Sequence, residues 1–283
     1  MRYREFHPHS PLNTVVECFW TLESETEDPA ARPEKILPDG CVELILNFGA
    51  RFLQHVDDTT RLQPQTLVAG QLTRPLLIAP TGPVQLIGIR FHPGGTAPFF
   101  RLPMYQLTDQ IVELGAFERD LESLLLKGTE DMALMTDKVA ALERALTQLL
   151  VEHTRDLKVL QTAARIVESG GMIPVDTLAL DAGISSRQLE RKFLAEIGVG
   201  PKLLSRILRF QQVFRAVDAN ETCWPVIALD CGYYDQAHLI RDFRQFAEQT
   251  PSVLFAEQRS LTESFTRKAR TSNFSNTPQF GSA

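Results

Sequence analysis

Four arginines in the second half of the chain are spaced for recognition chemistry. Arg187 and Arg191 lie one helical turn apart, and Arg241 and Arg244 are three residues apart. A guanidinium presents two parallel N–H groups that match guanine O6/N7 or the oxygens of a carboxylate or phosphate. Glu190 could accept a hydrogen bond from cytosine N4. Ala237 and Ile240 donate nothing but can touch a thymine methyl. Gln188 stands beside the first arginine pair, and Gln236 lies near the start of the second segment. Taken singly, an arginine on a helix is most often a solvated charge. These groups, however, belong to two copies of one pattern.

Thr177 to Phe193 resembles Val226 to Phe243. Ala179, Leu180, Asp181 and Gly183 recur as Ala228, Leu229, Asp230 and Gly232, at an offset of 49. Leu189, Arg191, Phe193 and Pro201 recur as Leu239, Arg241, Phe243 and Pro251, at an offset of 50, so one extra residue follows the second glycine. Each copy reads as a short helix, a tight turn at Gly, and a second helix opening at a Ser or Asp cap. That is helix-turn-helix grammar, written twice. Period-four spacing makes Leu189, Phe193 and Ile197 the buried stripe of the first copy, with Leu239, Phe243 and Phe246 in the second. The outward faces are then Arg187, Gln188, Glu190 and Arg191, and Gln236, Ala237, Ile240, Arg241 and Arg244. With Ala and Ile outward, the second copy is expected to read bases less stringently. Lys202 to Val217 is a helix-length connection whose stiffness suits two units in successive major grooves, about 34 Å apart.

The elements that carry this repeat follow a change of pattern near Pro103. The first hundred residues read as strands, notably Val15 to Leu22, Cys41 to Phe48 and Val84 to Phe91. Turns at Pro38-Asp39-Gly40, Pro80 to Pro83 and His92-Pro93-Gly94-Gly95 separate them. Asp109 to Leu126 and Asp131 to Glu152 contain no Pro and read as helices. In the second of these, Met135, Val139, Leu142, Leu146 and Leu149 recur at spacings of 4, 3, 4 and 3, a seam that fits packing on the β-domain or against a second copy of the chain. The expected fold is α+β: a β-rich sensor-like domain over 1–105, a helical dimerisation or linker region over 106–157, an all-α domain with two helix-turn-helix units over 158–260, and a disordered Ser/Thr/Asn-rich tail over 261–283.

The 283 residues carry a net charge of −6. Residues 1–157 are net −8 and residues 158–283 net +2, so the two halves suit different partners. No apolar run approaches the roughly 20 residues needed to span a bilayer, no signal peptide is visible, and four cysteines do not make a disulfide framework. A cytoplasmic setting is expected. Gly-x-Ser-x-Gly, His-Glu-x-x-His, Gly-x-x-x-x-Gly-Lys and Gly-x-Gly-x-x-Gly are absent, so no catalytic residue, cofactor or metal is assigned. His7 and His9 have a ligand-like spacing but flank Pro8 near the N-terminus. In the first half, Trp20, Arg90 and His92 are the candidates for contact with a small molecule. Alternation places Arg90 and His92 on one face of a strand and Phe91 on the other. Arg90 could clamp an anion, or it could pair with an internal acid such as Asp39 or Glu43.

Val159 to Gln258 resembles the DNA-binding domain of AraC/XylS-type bacterial transcription regulators. The resemblance rests on Leu180-Asp-Ala-Gly183, Leu189-x-Arg-x-Phe193, Gly198-x-Gly-Pro201, Ile227 to Tyr233, His238 to Phe243 and Thr250-Pro-Ser252. It implies seven helices with two helix-turn-helix units. The base-facing positions fall on Arg187, Glu190 and Arg191, and on Gln236, Ala237, Ile240 and Arg241. It also implies double-stranded DNA with two adjacent half-sites, RNA polymerase and a small-molecule effector as partners, with a homodimer as the assembly. Cys18-Phe-Trp20, Leu37 to Cys41 and Gly88 to Gly95 resemble an N-terminal domain of unknown function found on a subset of these regulators. The chain departs from the family at Glu248, where Gly is common after the second recognition helix. A non-Gly residue in a left-handed C-terminal position costs about 1–2 kcal/mol, so a rebuilt last turn is expected there. The alternative is a ligand-binding or protein-binding module whose repeat no longer reads DNA. Its mark would be apolar outward faces.

Overall fold

The computed structural model describes residues 2–24, 33–56, 59–151, 157–217 and 223–256. The expected disordered tail lies outside the described residues. The chain divides into two compact units, residues 1–208 and 209–283.

The first unit opens with two antiparallel sheets. Strands β1 (Arg2–Phe6), β2 (Val16–Ser24), β3 (Glu34–Ile36), β4 (Val42–Asn47), β5 (Phe52–Val56), β6 (Thr59–Leu62), β7 (Thr66–Ala69), β8 (Leu76–Pro80), β9 (Val84–Phe91) and β10 (Ile111–Glu113) follow in chain order. One sheet runs β1-β2-β9-β4-β7-β10 and the other β3-β8-β5-β6. The three long strands fall where alternation and β-branched content place them, and β9 matches its expected limits. Alternation then sorts the large sheet into two faces. Phe19, Leu44, Ile87, Ile89 and Phe91 enter the main core, while Cys18, Trp20, Val84 and Leu86 pack with Phe52 of the small sheet. Gly88 lies opposite Trp20 in the register, and a Cβ there would fall 2.0 Å from the indole. The glycine is what lets the ring lie on β9.

Helices α1 (Arg119–Lys127) and α2 (Met135–Val151) follow the sheets. The seam on α2 is internal: Met135, Val139, Leu142 and Leu146 are at most 7% exposed and join the β-sheet core, with Leu149 partly buried beside them. The α2 stripe thus covers its own domain. The unbroken helix expected from Asp109 to Leu126, within the helical region assigned to 106–157, is not formed. Asp109 takes a left-handed φ of 56°, its carboxylate accepts from the Thr73 N–H and hydroxyl at 2.7 and 2.6 Å, and Ile111-Val112-Glu113 pairs with β7 as an edge strand. Two β-branched residues with a waiting strand edge outweigh a helix whose window includes Gly115.

Four helices continue the chain: α3 (Leu157–Glu168), α4 (Val175–Asp181), α5 (Ser186–Glu196) and α6 (Pro201–Ala216). Val159, Ile166, Leu178, Leu189, Phe193 and Leu204 form a second core. The division between units falls within α6.

The second unit holds the end of α6, then α7 (Trp224–Asp230), α8 (Gln236–Phe246) and a helical turn at 251–256. Its core is aromatic. Phe210 meets Phe243 edge-on at 4.8 Å and Phe214 at 5.1 Å, and Phe255 lies 5.1 Å from Phe214. Each such pair contributes about 0.5–1.5 kcal/mol beyond burial, which helps a small unit hold together.

Candidate nucleic-acid interface

The two copies share their backbone bonding. In the first, the N–H groups of Ala182, Gly183 and Ile184 donate to the carbonyls of Leu178, Leu180 and Ala179 at 3.0, 3.0 and 3.1 Å. In the second, Cys231, Gly232 and Tyr233 donate to Ile227, Leu229 and Ala228 at 3.0, 3.0 and 2.8 Å. Gly183 and Gly232 take positive φ values of 66° and 75°, the left-handed turn that lets each first helix stop. The caps follow. The Ser185 hydroxyl accepts from the Gln188 N–H at 3.2 Å, and Gln188 Oε1 accepts from the Ser185 N–H at 3.0 Å, a closed capping box. Asp235 Oδ1 accepts from the His238 N–H at 2.7 Å. Each second helix is therefore started by a side-chain oxygen three residues upstream.

These caps set the rotation of the recognition helices. On α5, Leu189 and Phe193 are buried, whereas Arg187, Gln188, Glu190 and Arg191 are exposed. On α8, Leu239, Phe243 and Phe246 are buried, Ala237, Arg241 and Arg244 are exposed, and Gln236 and Ile240 are half-buried. The structure thus collects the named residues of each copy on one helix and leaves its basic side toward solvent. Two of the first-copy residues have local work as well. Gln188 spends its carbonyl oxygen on the cap. A Cβ at Gly200 would fall 2.1 Å from Glu190 Oε1, so the Glu190 carboxylate lies over the N-terminus of α6, where negative charge is favoured. Arg187 and Arg191 make no hydrogen bond or ion pair among the described residues. Arg165 and Asp181 meet at 2.6 Å, bracing α3 against α4.

Sequence reasoning passed over three residues here. Tyr234, the residue by which the second copy is longer, is 87% exposed immediately before the α8 cap. Leu180 and Leu229, equivalent positions of the two first helices, are 78% and 63% exposed. The one-residue slip in the repeat was the available signal for Tyr234.

The left-handed position after each recognition helix is kept in both copies. Gly198 has φ 100° and Glu248, at the matching place, φ 57°. The expected rebuilding of the last turn does not occur, and Glu248 bears the left-handed backbone itself.

Within the first unit, the sheet domain touches the first helix-turn-helix. The Thr108 hydroxyl donates to the Gly198 carbonyl at 2.7 Å. A Cβ at Gly40 would meet Leu204 Cδ1 at 3.1 Å, and one at Gly94 would meet Ile197 and Leu160 at 3.7 and 3.8 Å. The turns read from the sequence at Gly40 and Gly94 therefore seat on α3, α6 and the end of α5.

Of the effector candidates, Arg90 is held by internal acids, one of the two arrangements open to it. Its Nε donates to Glu43 Oε1 at 2.9 Å, and its terminal nitrogen lies 2.8 Å from Glu43 and 3.4 Å from Asp39. The Trp20 indole donates to the same Glu43 oxygen at 3.1 Å. Burial, offset in part by Arg90, pushes the Glu17 and Glu43 carboxyls above the usual range, and burial lowers His92. Cys231 is buried at the second turn. Among the described residues no cluster of His, Cys, Asp and Glu could hold a metal ion, and no helix is long and apolar enough to cross a membrane.

Residues 178–257 match a family described as a helix-turn-helix domain, and residues 4–113 match one described as a domain of unknown function (DUF6597). No curated protein matches the chain. Among solved structures, ToxT from Vibrio cholerae is 11% identical, with a TM-score of 0.44 over 84% of this chain and 98% of that one. The AraC-like transcriptional activator CuxR is 13% identical, with a TM-score of 0.27 over 76% and 78%. The matches thus place a helix-turn-helix domain over residues 178–257, where the structure builds the motif twice, and a DUF6597 domain ahead of it over residues 4–113.

Proposed function

We propose that the protein reads DNA by sequence and that its N-terminal domain conditions this reading in response to a small molecule. The duplicated capping and turn geometry carries the proposal. Two helices are each rotated so that a basic side faces outward. Arg187 and Arg191 supply the bidentate donors of the first, and Arg241 and Arg244 those of the second. Gln236, Ala237 and Ile240 add amide and apolar contacts, and Glu190 and Gln188 divide their groups between bases and the local fold. Each recognition helix takes its own major groove, at two adjacent half-sites. Phosphate contacts supply most of the affinity, which falls with salt.

The contacts at Thr108, Gly40 and Gly94 support a route from the sheet domain to the first recognition helix. An effector that reached Trp20, Arg90 and His92 would have to displace the Glu43 pair. One that acts elsewhere on the domain need not. Pairing of two copies and contact with RNA polymerase complete the proposal, with Leu180 and Leu229 as the exposed apolar positions that a protein partner could cover. Those leucines lie on the first helices, so the alternative of a purely protein-binding repeat gains no apolar recognition face.

Selection of bound sequences from a random DNA pool at physiological salt tests the reading. A motif with two half-sites about one helical turn apart is expected. No enrichment, with the intact chain and with residues 158–283 alone, would refute it.

A further inference from the structure

On the core face of the β1–β2 ladder the side chains change character along the strand. Phe6 opposes Phe19, Arg4 opposes Thr21, and Arg2 opposes Glu23. The apolar pair is covered, but the next two pairs reach the point where α2 begins. A cavity of about 110 Å³ opens there, lined by Arg2, Arg4, Thr21 and Glu23 of the ladder and by residues 133–136. Thr21, one of the lining residues, is fully buried, and its hydroxyl has no hydrogen-bond partner among the described residues. A buried hydroxyl without a partner is costly, about 1–3 kcal/mol, and calls for an explanation.

Three features around the hydroxyl have one chemistry. Arg4 lies directly across the ladder and makes no hydrogen bond or ion pair among the described residues, whereas Arg2 is tied to Glu23 at 3.3 Å. The 17-residue helix α2 starts at Met135. Its first carbonyl bonds come from Asp137 and Lys138 to Leu134, so the N–H groups of Met135 and Thr136 are left facing the helix entrance, where negative charge is favoured. Two arginines against one glutamate leave a single net positive charge. Phe6, Ala133, Leu134 and Met135 supply apolar wall.

We propose that this cavity binds a short-chain monocarboxylate. The carboxylate would take the Thr21 hydroxyl and the α2 amides on one side and the Arg4 guanidinium on the other, with its alkyl part along Phe6 and Leu134. One net positive charge and an apolar wall suit a monoanion with a short tail better than a phosphate dianion. The inference deepens the proposed function by giving the N-terminal domain a ligand, and it rests on that reading only for its regulatory meaning.

Calorimetric titration of the full-length protein with sodium propionate, at constant ionic strength, tests it, with inorganic phosphate as the second arm. Saturable one-to-one propionate binding is expected. Arg4→Gln and Thr21→Val should each weaken it about tenfold, the effect of losing one hydrogen bond to a charged group. Thr21→Val is close in shape and deletes only the unpartnered hydroxyl, so its melting temperature should equal or exceed that of the parent. Absence of propionate binding, binding unchanged in both variants, or saturation by phosphate in its place would overturn the assignment. Propionate binding that leaves DNA affinity unchanged would count against the effector reading in the proposed function and in favour of the site itself.

Discussion

Replacing Glu248 by Gly should stabilise the second helix-turn-helix. Glu248 occupies the left-handed position after α8 with φ 57°, whereas the matching place after α5 is Gly198. Its side chain is exposed and makes no hydrogen bond or ion pair among the described residues, so truncation removes no native contact. Relief of the left-handed strain is worth about 1–2 kcal/mol. The extra freedom of glycine in the unfolded chain takes back about 0.4–1 kcal/mol. The net gain is about 0.5–1 kcal/mol. Because the chain has two compact units, a single melting temperature would blur so small an effect. Amide hydrogen exchange over residues 239–250 reads it locally, and exchange should slow about two- to fivefold. Gly183→Ala supplies the opposite case. Its φ is 66° and a Cβ would meet nothing within 4 Å, so the conformational term acts alone and exchange at the end of α4 should accelerate. Unchanged or faster exchange in Glu248→Gly, with Gly183→Ala behaving as expected, would refute the strain argument.

Arg191→Ala should lower affinity for a selected DNA site by about 1–3 kcal/mol and leave thermal stability unchanged, because its side chain is exposed opposite the buried stripe. Unaltered affinity for the selected site would remove Arg191 from the reading face. Leu142→Ala should cost about 2–5 kcal/mol of stability, since Leu142 is 1% exposed within the sheet core. A variant that melts normally but sediments as a smaller species would show instead that the seam joins two chains. Glu17→Gln should stabilise the folded protein at neutral pH. Burial raises the native Glu17 carboxyl above its unfolded value, so its contribution is full below the unfolded pKa of about 4.5 and lost as pH rises through the native value. The variant's advantage should therefore fade toward pH 4, and an advantage equal at pH 4 and pH 7 would contradict the assignment. His92 titrates with the opposite sense: burial lowers it, and the stability linked to it is lost as pH falls below about 6.5. His92→Gln should flatten that loss in melts between pH 7 and pH 5.

How much could be read in advance follows from which interactions are local. The helix-turn-helix copies were legible because each is specified within some twenty residues: a cap at Ser185 or Asp235, a left-handed Gly183 or Gly232, and a buried stripe of period four. The left-handed position at Glu248 was suggested only by the family resemblance, which pointed to a rebuilt turn where the backbone in fact accepts the strain. Long-range pairing escaped. Ile111 to Glu113 looks helical until β7 offers it an edge, and the α2 seam is ambiguous until the sheet is present to bury Met135, Val139 and Leu142. The small sheet went unnamed because β3 and β6 are short and mostly exposed, with no alternation to reveal them. The Thr21 site lies beyond sequence reasoning altogether. A threonine in a strand, an arginine seventeen residues earlier and the first turn of a helix more than a hundred residues later share no periodicity. Only the β1–β2 register and the place where α2 starts bring them together, leaving a hydroxyl without a partner beside an unpaired arginine. That coincidence of unmet bonding capacity, rather than any motif, is the physical reason to look for an anion there.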